Sequence, residues 1–206
     1  MTAPQELIQA VEQASAPAQL VAAVQALVAV KDKDAISTLI AVLGYNNPAA
    51  AIIAVAGLIE LGTESVQPLM EQLDEYNYGA RAYSIRALAG ISDPRALSLL
   101  IESAATDFAP SVRRAAAKGL GNLRWQQLKP EHVSSAQQQA TQTLLSISND
   151  GDWSIRYAAV VGLQALANIP ELASQIQKHF DLQIQTDSDV GVRSRLNWAQ
   201  QVLSQV

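Results

Sequence analysis

The sequence contains no cysteine. That excludes disulfides, a thiol nucleophile and a thiolate metal site. Histidine is nearly as scarce. His132 and His179 stand 47 residues apart with no companion at ligand spacing, so both read as surface residues and no metal site is expected. Aromatic residues make up only 5% of the 206 residues, while alanine and leucine dominate. Such a composition suits close helix packing rather than a sheet. No run of 18 apolar residues occurs, so no membrane span is expected. The opening MTAPQELIQ lacks a basic stretch followed by an apolar run, so no signal peptide is expected and the cytoplasm is the expected location. A nucleophile elbow, a P-loop and a Rossmann glycine fingerprint are also missing. No carboxylate pair among apolar residues suggests acid–base hydrolysis.

What is present is 49% hydrophobic residues and an uneven charge. The net charge is −5, but residues 1–77 carry two lysines against nine carboxylates. Residues 78–129 carry eight Lys and Arg against three acids, and residues 130–206 carry four against seven. A basic middle between acidic ends suits a localised anionic ligand. It argues against a nucleic-acid track, which needs a basic stripe along the whole chain.

Apolar residues recur with helical spacing, as in Ile36, Leu39, Ile40 and Leu43, and then again after each turn. Leu27, Leu58, Leu88, Leu120 and Leu163 keep one frame, with steps of 31, 30, 32 and 43. The long step places an insertion after Trp125, from Gln127 to about Ser135. Helix pairs at a period near 30 define a repeat array. The expected fold is all-α: a HEAT-like solenoid, an α–α superhelix of about five helix pairs plus terminal helices. The expected organisation is one domain over residues 1–206, with repeats at about 17–47, 48–77, 78–108, 109–150 and 151–188 and a capping helix at 189–206.

The stretch EYNYGARAYSIRALA (75–89) holds Tyr76, Tyr78 and Tyr83, three of the five tyrosines, together with Arg81 and Arg86. Asn77 and Gly79 mark a turn before its helix. An acid stands six residues ahead of an arginine four times: Glu75 and Arg81, Asp107 and Arg113, Asp150 and Arg156, Asp187 and Arg193. Such an acid can cap a helix start and meet an arginine of its own or a neighbouring repeat. A device in every repeat reads as a structural ladder rather than a site. Departures from the repeat carry more information. Arg86 and Lys118 occupy one repeat position, and Arg114 lies one turn from Lys118. This basic seam suits carboxylates. Tyr76, Tyr78, Tyr83, Trp153 and Tyr157 supply flat faces beside it. Trp153 sits where a serine or proline would suffice to open a helix, and Trp125 and Trp198 read as edge or interface residues. From the residues alone the chain is a helical-repeat binding protein with a small anionic-ligand pocket.

The stretch EYNYGARAYSIRALAGISDPRALSLLIESAATDFAPSVRRAAAKGLGNLRW (75–125) resembles the centre of the E/F-type phycobilin lyases, on the F-subunit side. The resemblance covers nearly the whole chain, and YGARAY, DPRA and SVRRAA are its most specific parts. It implies a carbon–sulfur lyase working as a heterodimer with a longer E subunit. The implied substrate is phycocyanobilin, with no tightly bound cofactor. The implied acceptor is a cysteine of the apo-phycocyanin alpha subunit in phycobilisome assembly, with the reverse detachment also in the family's range. The bilin's two propionates would meet Arg86, Arg114 and Lys118, and its rings would meet Tyr76, Tyr78, Tyr83, Trp153 and Tyr157. Asp74 or Asp152 would stand near the pyrrole nitrogens. A related isomerase uses a His-Cys motif, which a chain without cysteine cannot supply. A non-catalytic scaffold, or a factor that only removes bilin during antenna breakdown, are the alternatives.

Overall fold

Most helices open on a starter that the sequence supplies. Proline stands at the first position of α2 (Pro17–Ala29), α4 (Pro48–Leu61), α8 (Pro110–Leu120), α9 (Pro130–Ile147) and α11 (Pro170–Thr186). There its fixed φ fits the helix and its missing N–H costs nothing. Side-chain caps open others. Asp152 starts α10 (Trp153–Leu166) and Asp189 starts α12 (Val190–Leu203), each accepting a backbone N–H. Asn77 Oδ1 accepts from Ala80 N at 3.0 Å, opening α6 (Tyr78–Ile91), so Gly79 lies inside its first turn rather than in the loop before it.

The computed structural model describes residues 3–73 and 76–205. Asp74 and Glu75, named above as a candidate acid and as the partner of Arg81, lie outside the described residues. Among the described residues all regular elements are helical. The remaining helices are α1 (Ala3–Glu12), α3 (Ile36–Leu43), α5 (Val66–Glu71) and α7 (Leu97–Thr106), the last three each entered through a short 3-10 turn.

Two compact units divide the chain, Met1–Ile91 and Ser92–Val206. In the first, α2, α4 and α6 form one layer, with α4 between its neighbours, and α3 packs against α4. The segment Pro48–Glu71 is long and apolar enough to cross a membrane by length and composition. Its helix is interrupted, however, at Gly62, where φ is 66°, and α4 packs on α2, α3 and α6. In the second unit α8, α10 and α12 form one layer and α7, α9 and α11 the other. The frame leucines Leu27, Leu58, Leu88, Leu120 and Leu163 are all fully buried, as their spacing requires. Each adds about 1.5–3 kcal/mol on leaving water.

The long step between Leu120 and Leu163 has two sources. A connector holds a 3-10 turn at Trp125–Gln127, and α9 runs for 18 residues where α7 has 10. The expected insertion from Gln127 to Ser135 is thus one third connector and two thirds helix, because Pro130 starts α9 inside it. Helices α8 and α10 meet almost backbone to backbone. A Cβ on Gly121 would lie 2.5 Å from Gly162 O, and one on Gly162 would lie 2.5 Å from Ala117 O. Only glycine fits both positions.

The acid–arginine series is a ladder between repeats. Arg113 of α8 donates to Asp150 at 2.7 Å, ahead of α10. Arg156 of α10 donates through Nε and Nη2 to both oxygens of Asp187, ahead of α12, at 2.9 and 2.8 Å. Each acid also turns the chain into its own helix. Asp107, Asp150 and Asp187 accept from the backbone N–H two residues on, at 2.8, 2.8 and 2.9 Å. Arg156 and Arg193 return to the carbonyl of the acid six residues before them, at 2.9 and 2.7 Å. So the Arg156 side chain crosses to the neighbour's acid and also closes its own turn.

His132 is exposed as expected, but His179 is half-buried against the preceding second-layer helix. Its Nε2 lies 2.8 Å from Ser148 Oγ. That hydroxyl gives its hydrogen to Leu145 O at 2.7 Å, so His179 donates to it through Nε2. Burial holds the imidazole below its ordinary pKa. The neutral form is therefore the folded form. Stability is full above the ordinary imidazole value of about 6.5 and is lost as pH falls from there through the lowered value in the fold. Urea melts at pH 7.5 and 5.5 check this. The lower pH should give the lower midpoint, and His179→Asn should shrink the difference. An unchanged pH dependence in that variant would count against the assignment.

Candidate functional site

Arg114 and Lys118 lie four residues apart on α8 and so share one stripe. Trp153, Ser154 and Tyr157 lie on the first turns of the adjacent α10. These five side chains line a cavity of about 440 Å³. A second cavity of about 530 Å³ shares Lys118 and Tyr157 and continues past Gln164 to Arg195 and Trp198 of α12. The two form one groove across the first-helix layer of the second unit. Its size falls in the range of small-molecule sites, roughly 300–1,000 Å³.

Arg114 is held before any ligand arrives. Its Nη1 donates to Ser154 Oγ at 2.9 Å. Ser154 Oγ donates in turn to Asp152 Oδ1 at 2.7 Å, and Ser154 N donates to the same oxygen at 2.8 Å. These bonds from Ser154, aided by the charge of Arg114, hold the Asp152 carboxyl below the usual carboxylate range. A carboxylate so stabilised is a weak base, so the Ser154 hydroxyl is a positioning group and not an activated nucleophile. Asp152 serves here as the cap of α10. The other donors of the Arg114 fork, and the exposed Lys118 ammonium, face the same groove. Trp153 is 52% exposed although it occupies the helix-opening position that Pro110 fills in α8. An exposed indole at that place is not required by the fold.

The structure thus brings Arg114, Lys118, Trp153 and Tyr157 together. Tyr76, Tyr78, Tyr83 and Arg86 belong to the first unit. There the guanidinium of Arg86 stacks on the ring of Tyr83 at 5.5 Å, while Tyr76 and Tyr78 are 95% and 58% exposed. Trp125 is half-buried in the connector's 3-10 turn, and Trp198, expected at an edge or interface, covers Arg195. The sequence reading missed Arg195. Counted from the ladder arginines, it stands where α8 and α10 have Ala115 and Ala158. An arginine replacing two alanines of one register was the signal that could have found it. Among the described residues no group of three His, Asp or Glu side chains converges as a metal site.

Paired helices and the interrepeat ladder define a helical-repeat protein with a cationic, aromatic groove, and residues 66–164 match the family of HEAT repeats. Phycocyanobilin lyase subunit beta of Nostoc sp. strain PCC 7120 is 57% identical over 195 residues, covering 95% of this chain and 98% of that protein. The phycocyanin alpha phycocyanobilin lyase CpcF of Synechocystis sp. is 48% identical over 94% of this chain and 91% of its own. A solved structure, the complex of CpcE and CpcF of phycocyanin lyase from Nostoc sp. PCC7120, contains a chain 58% identical to this one. It superposes with a TM-score of 0.80 over 82% of this chain and 99% of that one. This chain belongs to the family of phycocyanobilin lyase beta subunits.

Proposed function

We propose that the chain is one subunit of a heterodimeric lyase, paired with an E-type subunit, that joins phycocyanobilin through a thioether to a cysteine of the apo-phycocyanin alpha subunit. The observation that carries this reading is the groove of Arg114, Lys118, Trp153 and Tyr157 in a chain of this family. Phycocyanobilin is flat, conjugated and twice carboxylated. Arg114 and Lys118 take one propionate, and Trp153 and Tyr157 lie against the ring faces. The acceptor protein brings the thiol, whose sulfur bonds to an unsaturated carbon of the bilin while its hydrogen goes to the neighbouring carbon. Nothing is oxidised and no group leaves, and the same path in reverse detaches the pigment. The chain's part is to fix the bilin's position and angle against that thiol. A free thiol on the acceptor fits the reducing cytoplasm as the compartment. The first-unit residues Tyr76, Tyr78, Tyr83 and Arg86 stay proposed as further bilin contacts.

Co-expression with apo-alpha subunit and phycocyanobilin, with and without the E-type subunit, tests the function. The pair is expected to give red-absorbing pigment that stays on the alpha subunit in acidic urea, and this chain alone to give little. A pair that leaves the alpha subunit colourless would refute it.

A further inference from the structure

Arg195 is a buried cation with no counter-ion among the described residues. The residue is only 7% exposed. Its Nη2 donates to Gln164 Oε1, while its Nη1 is buried without a hydrogen-bond partner. No carboxylate pairs with it among the described residues, in contrast to Arg113 and Arg156 of the ladder. Two rings flank it instead, Trp198 at 4.5 Å and Tyr157 at 6.0 Å from the guanidinium carbon. Burial pushes its pKa below the ordinary arginine value. A desolvated, unpaired guanidinium is costly unless something completes it. Arg195 lines the same cavity as Lys118 and Tyr157. The cover over it is Trp198, itself 54% exposed and therefore free on its outer face.

We propose that Arg195 is a second carboxylate anchor, which takes the bilin's other propionate when the Trp198 indole turns aside. This rests on the reading of the groove as the bilin site. One propionate meets Arg114 and Lys118 at one end. The second reaches Nη1 of Arg195 at the other, and Tyr157, common to both cavities, lies beneath the chromophore between them. Gln164 holds the guanidinium by its Nη2, so the fork stays oriented when the indole moves. Two anchors fix the bilin's place and tilt along the groove, whereas a single anchor would let it pivot.

The test titrates the full chain, paired with its E-type subunit, with phycocyanobilin and with its dimethyl ester. Arg195→Gln is expected to weaken the free acid roughly tenfold or more and to change the ester less than about twofold, with Arg195→Lys between. Equal weakening of acid and ester would show a structural role and overturn the proposal, as would no weakening at all. If Arg195→Gln fails to fold by circular dichroism, Trp198→Leu decides instead. With the guanidinium uncovered, the preference for acid over ester should rise above wild type, and an unchanged preference overturns the proposal. Arg114→Ala with Lys118→Ala separates the two readings. If that pair loses the acid preference while Arg195→Gln keeps it, the second anchor alone is refuted. If every variant keeps it, the groove falls too.

Discussion

Replacing Asp187 with alanine is expected to destabilise the second unit by about 3–5 kcal/mol, the range for removing one partner of a buried ion pair. The Asp187 side chain is 2% exposed and that of Arg156 is 12% exposed. Both guanidinium bonds of Arg156 to Asp187 would be lost, and the charge would keep only backbone carbonyls as hydrogen-bond partners. The bond from Asp189 N that leads the chain into α12 goes with them. Hydrogen bonding from Arg156 holds the Asp187 carboxyl below its ordinary pKa. The stabilisation is therefore full above the unfolded carboxyl value of about 3.9 and is lost as pH falls below it through the lowered value in the fold. Urea melts at pH 7 measure the first effect and an acid series the second. As a control, Glu60→Ala removes an exposed pair, since Lys31 and Glu60 are 67% and 49% exposed. It should change stability by no more than about 0.5 kcal/mol. A loss in Asp187→Ala as small as that control's would contradict the ladder.

The second large effect falls on ligand affinity. Arg114→Ala with Lys118→Ala is expected to weaken phycocyanobilin binding by about a hundredfold or more, since each charge-assisted contact contributes about 1.5–3 kcal/mol. The fold should survive. Lys118 is exposed, and Arg114 makes one side-chain bond, to Ser154. Bilin titration, with circular dichroism as the folding control, reads the effect. A folded double variant that binds bilin as the wild type does would place the pigment elsewhere, with the second-helix layer as the next candidate.

Much of this was legible in the sequence, because a repeat writes its packing into a fixed frame. The five frame leucines are buried as their spacing demands. Arg114, Lys118, Trp153 and Tyr157 stood out as departures from the repeat, and they share one cavity. What could not be read depends on how repeats stack. Arg113 and Arg156 each have an acid six residues before them, yet their side chains pair with the acid 37 or 31 residues on. His179 looked like a surface residue because its partner Ser148 lies 31 residues back, on a different helix. Arg195 looked like one charge on a mixed helix. Its burial comes from Gln164 and Tyr157 of α10 together with Trp198 of its own helix. The period locates the extra residues after Trp125 but not their form, and most of them lengthen α9 from Pro130 on.

The most direct test of the central claim is a crystal structure of this chain with its E-type subunit and phycocyanobilin. The account predicts a bilin ring against Tyr157, with propionate oxygens within about 3 Å of Arg114 and Lys118. An ordered bilin bound elsewhere, with the groove of α8 and α10 empty, would contradict it.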